Sequence, residues 1–287
     1  MTEKKQGSIF SWEEESLMGN WEKDITEIHK KHSESVRASN DTIKNKNDKY
    51  RAAIIKGRIV YTCNCGWLDL THAFTRTKRK YIGADNLWKQ LTNESGLKSK
   101  SPNEAGFLVI YRQDARVGTT IFDTKIGVNV GVTKKYFIKN NLSDSTKEKI
   151  ALSIFKEVSL EFEELQSYGV IIGRGDSSFE PADLISNLLG FYNVLRPKLT
   201  EERIFKLAKK LSIQQSLEIY SNYPGTFSLE KYKNKKFTPL FFQNKYCNSP
   251  SFPPEFQEIL TEKKGNNFRD WIELIDVHAG IPPLNKN

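Results

Sequence analysis

Residues Gly57–Arg76 read GRIVYTCNCGWLDLTHAFTR. Ile59, Val60 and Tyr61 form a short β-prone run, Cys63-Asn64-Cys65-Gly66 follows, and the spacing beyond predicts a helix. On that helix Asp69 and His72 stand three apart, so they share a face and can hydrogen-bond. A carboxylate so placed fixes the tautomer of the imidazole and raises its basicity. Cys63 and Cys65 fall where the strand meets a helix N-terminus, where the dipole and free N–H groups favour a thiolate. A thiol, a carboxylate and an imidazole thus lie within ten positions.

Composition limits the alternatives. At 287 residues the chain suits one large domain or two small ones, and 17 Phe, 11 Tyr and 5 Trp can fill a real core. The apolar runs Phe107–Tyr111, Val170–Ile172 and Leu184–Tyr192 are too short to cross a bilayer. The opening MTEKKQGSIFSWEEE has no apolar signal core, so synthesis in the cytoplasm is expected, or exit by a route without a cleaved signal. The net charge of +9 suits a basic, solvated surface, or affinity for nucleic acid, anionic lipid or an anionic cell-wall polymer. Three cysteines make no disulfide framework, although Cys247 can bridge to Cys63 or to Cys65 in an exported chain. Cys-x-Cys without a second Cys or His pair does not specify zinc, so no metal is assigned and the cofactor is left unknown.

The expected fold class is α+β, a small antiparallel meander packed among helices. Residues 1–50 are expected to form a polar helical arm opened by a Ser11/Glu14 capping box, and residues 51–287 a single domain. The 66-onward helix is expected to reach Leu91, with a break near Gly83. Three strands are expected at Gly106–Arg112, Val117–Phe122 and Ile126–Val132, joined by short turns. Helices are expected from Asp144 to Tyr168, from Glu180–Pro181 to Leu195 with Pro in the first position, and from Thr200 to Tyr220. Gly173–Ser178 reads as a turn, residues 222–254 as an aromatic, lysine-rich wrap, Pro254–Lys263 as a short helix and Trp271–Val277 as a strand.

Further candidates lie on the later helices. Glu157, Glu161 and Glu164 share one face, which is an acidic solvated strip unless Glu161 enters a cleft as a general acid. Asp183, Ser186, Asn187 and Gly190 form a polar strip on an otherwise apolar helix and must bond to something. They either fix a neighbouring segment or line a site. His29, His32 and His278 have no matching local spacing.

Two strings, GRIVYTCNCGWLDLTHA and SSFEPADLISNLLGFY, with a weaker block SLEFEELQSYG between them, resemble a bacterial group of exported or lipoprotein-like proteins, domain-of-unknown-function family 4056. The similarity spans about residues 57–195 and picks out Cys63, Asp69, His72, Glu161, Ser178, Asp183, Ser186 and Asn187. Cys65 and Glu180 depart from the family pattern, which has a small residue and a serine there. The resemblance implies a polar cluster built from three segments and supplies no reaction.

The expectation from these residues is a hydrolase of a bacterial cell-envelope polymer, its peptidoglycan glycan or peptide. His72 oriented by Asp69 would be the base, Glu161 the acid/base partner or Cys63 the nucleophile, with Ser178, Asp183, Ser186 and Asn187 binding substrate. A toxin or effector loaded into a contractile secretion or injection apparatus, with an immunity protein as partner, is the expected setting. The alternative is a non-enzymatic cargo or binding protein whose basic surface meets nucleic acid or another acidic partner.

Overall fold

The computed structural model describes residues 27, 30, 31, 34, 45, 47–74, 79–94, 97–98, 105–121, 124–167 and 178–271. Two compact units divide the chain, Met1–Asp48 and Lys49–Asn287. In the first, Lys31 and Glu27 form an i,i+4 ion pair of 2.8 Å. The remaining fold described here is that of the second unit. The Ser11/Glu14 cap, the segment 168–177 and the strand expected at Trp271–Val277 beyond Trp271 lie outside the described residues.

The second unit is α+β. Helix α1 (residues 49–55) leads into a hairpin of β1 (Ile59–Thr62) and β2 (Gly66–Asp69), and a short helix α2 (Leu70–Phe74) follows at once. The expected strand-to-helix passage is therefore a strand–turn–strand. Thr62 drives it: its hydroxyl donates to the Gly66 carbonyl at 2.9 Å and accepts from the Cys65 amide at 3.1 Å, closing the turn. Gly66 is left-handed at φ +66°, and a Cβ there would stand 2.5 Å from the Leu240 carbonyl oxygen. Asp69 accordingly ends a strand and is not on a helix.

Both strands of this hairpin are buried along their whole length. Successive residues point to opposite faces. Val60 and Leu68 enter a large apolar cluster with the later helices and the sheet, whereas Ile59, Tyr61 and Trp67 enter a second one. That second cluster gathers Tyr50, Ile54, Tyr220, Phe227 and Phe242, with Trp67 edge-on to Tyr61, Tyr220 and Phe227. Fully burying one such side chain stabilises by roughly 1.5–3 kcal/mol, so the hairpin is the shared wall of two cores.

Helix α3 (Ala84–Thr92) begins after Gly83, and the strand β3 (Leu97–Lys98) precedes a single long hairpin, β4 (Gly106–Ile121) and β5 (Thr124–Lys139). The expected three-strand meander is thus two 16-residue strands. The Gln113–Arg116 segment, expected to be a turn, is paired in register, with Gln113 opposite Val132 and Ala115 opposite Val130. Sheet order is β3-β4-β5-β6, with β6 at Phe268–Asp270. Helix α4 (Asp144–Ser167) lies along the sheet, and Gln113 donates to Ser159 on it at 2.7 Å.

Helix α5 (Asp183–Leu195) starts two residues later than Pro181 predicts and is buried on almost every side. The helix expected from Thr200 to Tyr220 is two, α6 (Glu201–Ala208) and α7 (Ile213–Asn222). Lys209, left-handed at φ 55°, ends the first, and Ser212 with Gln215 forms a capping box that starts the second. Beyond α7 the chain wraps over the core with two 3-10 turns, Glu230–Tyr232 and Pro254–Phe256, the latter replacing the helix expected over Pro254–Lys263. Cys247 on the wrap is bonded to Cys63. Among the described residues no helix is long and apolar enough to cross a membrane.

Candidate functional site

The polar strip of α5 faces the β2–α2 junction. Ser186 Oγ accepts from the Asp69 amide at 2.9 Å. One turn further, Gly190 lies against the backbone of α2, where a Cβ would come 2.3 Å from the Ala73 carbonyl oxygen. Only a residue without a side chain lets the two segments approach this closely. The same approach brings His72, next to Ala73, to Asp183 at the start of α5: His72 Nδ1 is 3.6 Å from Asp183 Oδ1.

Around Asp183 the chain gathers buried carboxylates from three further places. Glu163 comes from α4, Glu180 from the segment before α5 and Asp69 from the end of β2. Glu180 donates its amide to Asp183 Oδ2 at 2.8 Å. Glu163 Oε2 accepts from the Phe179 amide at 2.7 Å, and Glu180 Oε1 accepts from the Tyr50 hydroxyl. Phe179 is held at φ 51°, a left-handed conformation costly for a side chain of its size. Asp69 takes both the amide and the hydroxyl of Thr71, at 2.8 and 2.5 Å, and Arg58 stands 3.8 Å from its other oxygen.

These neighbours move two pKa values in opposite directions. Burial raises the Asp183 carboxyl well above its ordinary 3.8, and the charges of Glu163, Glu180 and Asp69 push the same way against the Glu180 amide. Desolvation by the surrounding chain lowers His72 from 6.5, aided by Arg58 and opposed by Asp69. The His72 side chain is nevertheless 43% exposed. His72 therefore presents a neutral imidazole to solvent at neutral pH, backed by a carboxyl that resists ionisation.

His72 and Asn187 line an open cleft with Phe74, Asp85, Phe155 and Phe191. With Nδ1 turned to Asp183, Nε2 on the far side of the ring is the nitrogen left to serve a ligand.

The other expected site residues go elsewhere. Cys63 is bonded to Cys247 and is no nucleophile in this form, and the turn holding it is not a helix N-terminus. Cys65 is the free thiol, buried, with its pKa pushed up by that burial. Glu161 pairs with Lys134 on β5, which also holds Glu157. It is Glu163, two residues on, that reaches the Asp183 cluster. Ser178 is buried and its carbonyl accepts from Lys233. The Asp69–His72 pairing expected on one helix is replaced by His72 with Asp183, Asp69 acting from further off. Glu163, Glu180 and Tyr50 were missed as site residues. Glu180 had a visible signal, since it precedes Pro181 and stands three before Asp183 as a capping partner, whereas Tyr50 and Glu163 are joined to the site only by tertiary packing.

Among the described residues no three His, Cys, Asp or Glu side chains converge as a metal site. No protein family, curated protein or solved structure matches the chain.

Proposed function

We propose that the protein is a hydrolase of a bacterial cell-envelope polymer, with His72 as general base and Asp183 as the group that orients it. The observation that carries this is the 3.6 Å approach of His72 Nδ1 to the buried Asp183 carboxyl at the wall of an open cleft. A water molecule in the cleft gives a proton to Nε2 as its oxygen attacks the electrophilic carbon of the scissile link. The same proton passes from Nε2 to the leaving group as that bond breaks. Asp183 keeps Nδ1 facing inward through both transfers, and Asn187 is placed to hold substrate.

The Cys63–Cys247 bond supports a working place that is oxidising. This agrees with an effector delivered to an envelope by an injection apparatus, with an immunity protein as its natural partner. Expression directed to the cytoplasm or the periplasm of a bacterium tests the reading. Lysis only from the periplasm, abolished by His72→Ala and Asp183→Asn in folded protein, is the expected result. Lysis that survives both substitutions overturns it.

One observation favours the second reading, a non-enzymatic binding or cargo protein. Asp69, Glu163, Glu180 and Asp183 all accept hydrogen bonds within the fold, as a structural network does. That reading predicts that His72→Ala lowers stability and changes no reaction.

A further inference from the structure

The cleft beside His72 is opposite in charge to the chain as a whole. The protein carries 44 Lys and Arg against 35 Asp and Glu, yet among the described residues no Lys or Arg lines this cleft. His72 faces it as a neutral imidazole, and Arg58, whose charge reaches His72, stands 3.8 Å from Asp69. Asp85, in the first turn of α3, is the one carboxylate in the wall.

The helix dipole favours an acid in a first turn, as it does Asp144 on α4, and that accounts for the residue type alone. Asp85 differs in standing at the cleft with its oxygens unused: it forms no hydrogen bond or ion pair among the described residues. The turn that carries it is well anchored. Asn86 donates to the Ile82 carbonyl at 2.6 Å, and Gln90 both donates to the Ile110 carbonyl at 2.9 Å and accepts from the Ile110 amide at 3.0 Å.

The amides in the wall divide in the same way. Asn193 gives its amide to the Leu199 carbonyl at 2.8 Å. Asn187 is half-buried and forms no hydrogen bond among the described residues, so its carbonyl oxygen is an acceptor open to a ligand. The apolar part of the wall is Phe74, Phe155 and Phe191, with Phe155 stacked on Phe191 at 4.8 Å.

Two acceptors, one of them charged, among phenyl rings match a cationic donor on a hydrocarbon stem. An ammonium has three donors and no acceptor, ring faces attract it, and methylenes cover the rest of the rings. An anion is repelled by Asp85 and meets no base in the wall. A sugar ring bears hydroxyls around its rim, and phenyl walls leave those unpaired.

We propose that this cleft binds the aliphatic primary amine of a peptide side chain, its ammonium on Asp85 and Asn187 and its methylenes on Phe155 and Phe191. The link presented to His72 is then an amide of that peptide. This rests on the hydrolase reading for the reaction, and it favours the peptide of the envelope polymer over the glycan. The water oxygen adds to the amide carbon, the C–N bond breaks, and the departing nitrogen takes the proton held on His72 Nε2, leaving a carboxylic acid and a free amine.

The test is binding of short labelled peptides to the full chain by fluorescence anisotropy, with cleavage of the same peptides read by mass spectrometry. The probes are Ala-Lys-Ala blocked at both ends, its norleucine and glutamate analogues, and a glucosamine oligomer that carries the ammonium on a sugar. Wild type should bind the lysine peptide about tenfold more tightly than the norleucine one, and more tightly than the glucosamine oligomer. Asp85→Asn should remove that preference while norleucine affinity stays within about twofold, and Asn187→Ala should weaken the lysine peptide about threefold. Asp85→Lys should turn the preference towards glutamate. Asp144→Asn, which loses a first-turn charge that does not line the cleft, should bind as wild type does. Equal affinity for lysine and norleucine, a preference that survives Asp85→Asn, or tighter binding of the glucosamine oligomer would each overturn the amine site. Asp85-dependent binding by a protein that cuts neither peptides nor sacculi would keep the site and remove the hydrolase. Cleavage indifferent to Asp85→Asn would keep the hydrolase and remove the site.

Discussion

Asp183 Oδ1 faces His72 Nδ1 at 3.6 Å, and the two belong to helices that Gly190 allows into contact. Their pKa values are displaced towards one another, His72 down and Asp183 up. His72 must be neutral to take the proton of the attacking water, so activity should rise from acid pH as His72 loses its proton below its ordinary 6.5. His72→Ala should cost about 10²–10⁴-fold in rate with the fold intact. A rate-against-pH profile of wild type and variant checks this, and a flat profile contradicts it.

Stability should carry the same signature. The folded Asp183 holds its proton to a higher pH than the unfolded chain, whose carboxyl titrates near 3.8. The folded state then binds the extra proton, so this contribution is complete below the unfolded value and is lost as pH rises through the folded one. His72 works in the other window: its contribution is present above 6.5 and is lost as pH falls through its lowered value. Glu163→Gln keeps an acceptor for the Phe179 amide but removes the second-largest cause of the Asp183 shift. Thermal melts from acid to neutral pH should show the Asp183 decline shrink in this variant.

Gly190→Ala places a methyl group 2.3 Å from the Ala73 carbonyl oxygen, where backbone must move. A loss of about 1–3 kcal/mol in urea unfolding is expected. Activity should fall further than stability, because His72 is displaced with α2.

How much of this was legible in the sequence depended on whether a residue's partner was local. The hairpin stretch announced itself through its apolar and reactive residues, and the polar strip Asp183–Gly190 through its mismatch with an apolar helix. Both meet at the site. The turn at Cys63–Gly66 was hidden because Thr62, not a Gly-Asn pair, closes it. The long hairpin reads as three strands because Gln113–Arg116 and Asp123–Lys125 look like polar connections, yet Gln113–Arg116 pairs in register with Asn129–Val132. On α4 the spacing drew attention to Glu161, while burial selects Glu163, a choice made by the neighbouring segment and not by the helix's own period.

Glu161→Gln gives the sharpest contrast with that sequence reading. Glu161 is a half-exposed partner of Lys134, and such pairs contribute about 0–1 kcal/mol. The variant should keep wild-type activity and nearly all its stability, as activity assays beside thermal melts will show.

The Cys63–Cys247 bond closes a separation of 184 residues and ties the wrap to the hairpin turn. Replacing both cysteines by alanine should lower stability by about 2–4 kcal/mol. Cys65→Ala should leave the bond in place and change activity little, which a denaturation series with and without reductant checks.

The most direct measurement is the release of soluble fragments from purified bacterial sacculi by the purified protein, wild type beside His72→Ala and Asp183→Asn. Fragments released by wild type, and by neither folded variant, are what the pairing of these two residues predicts. Release by all three alike, or by none, would contradict it.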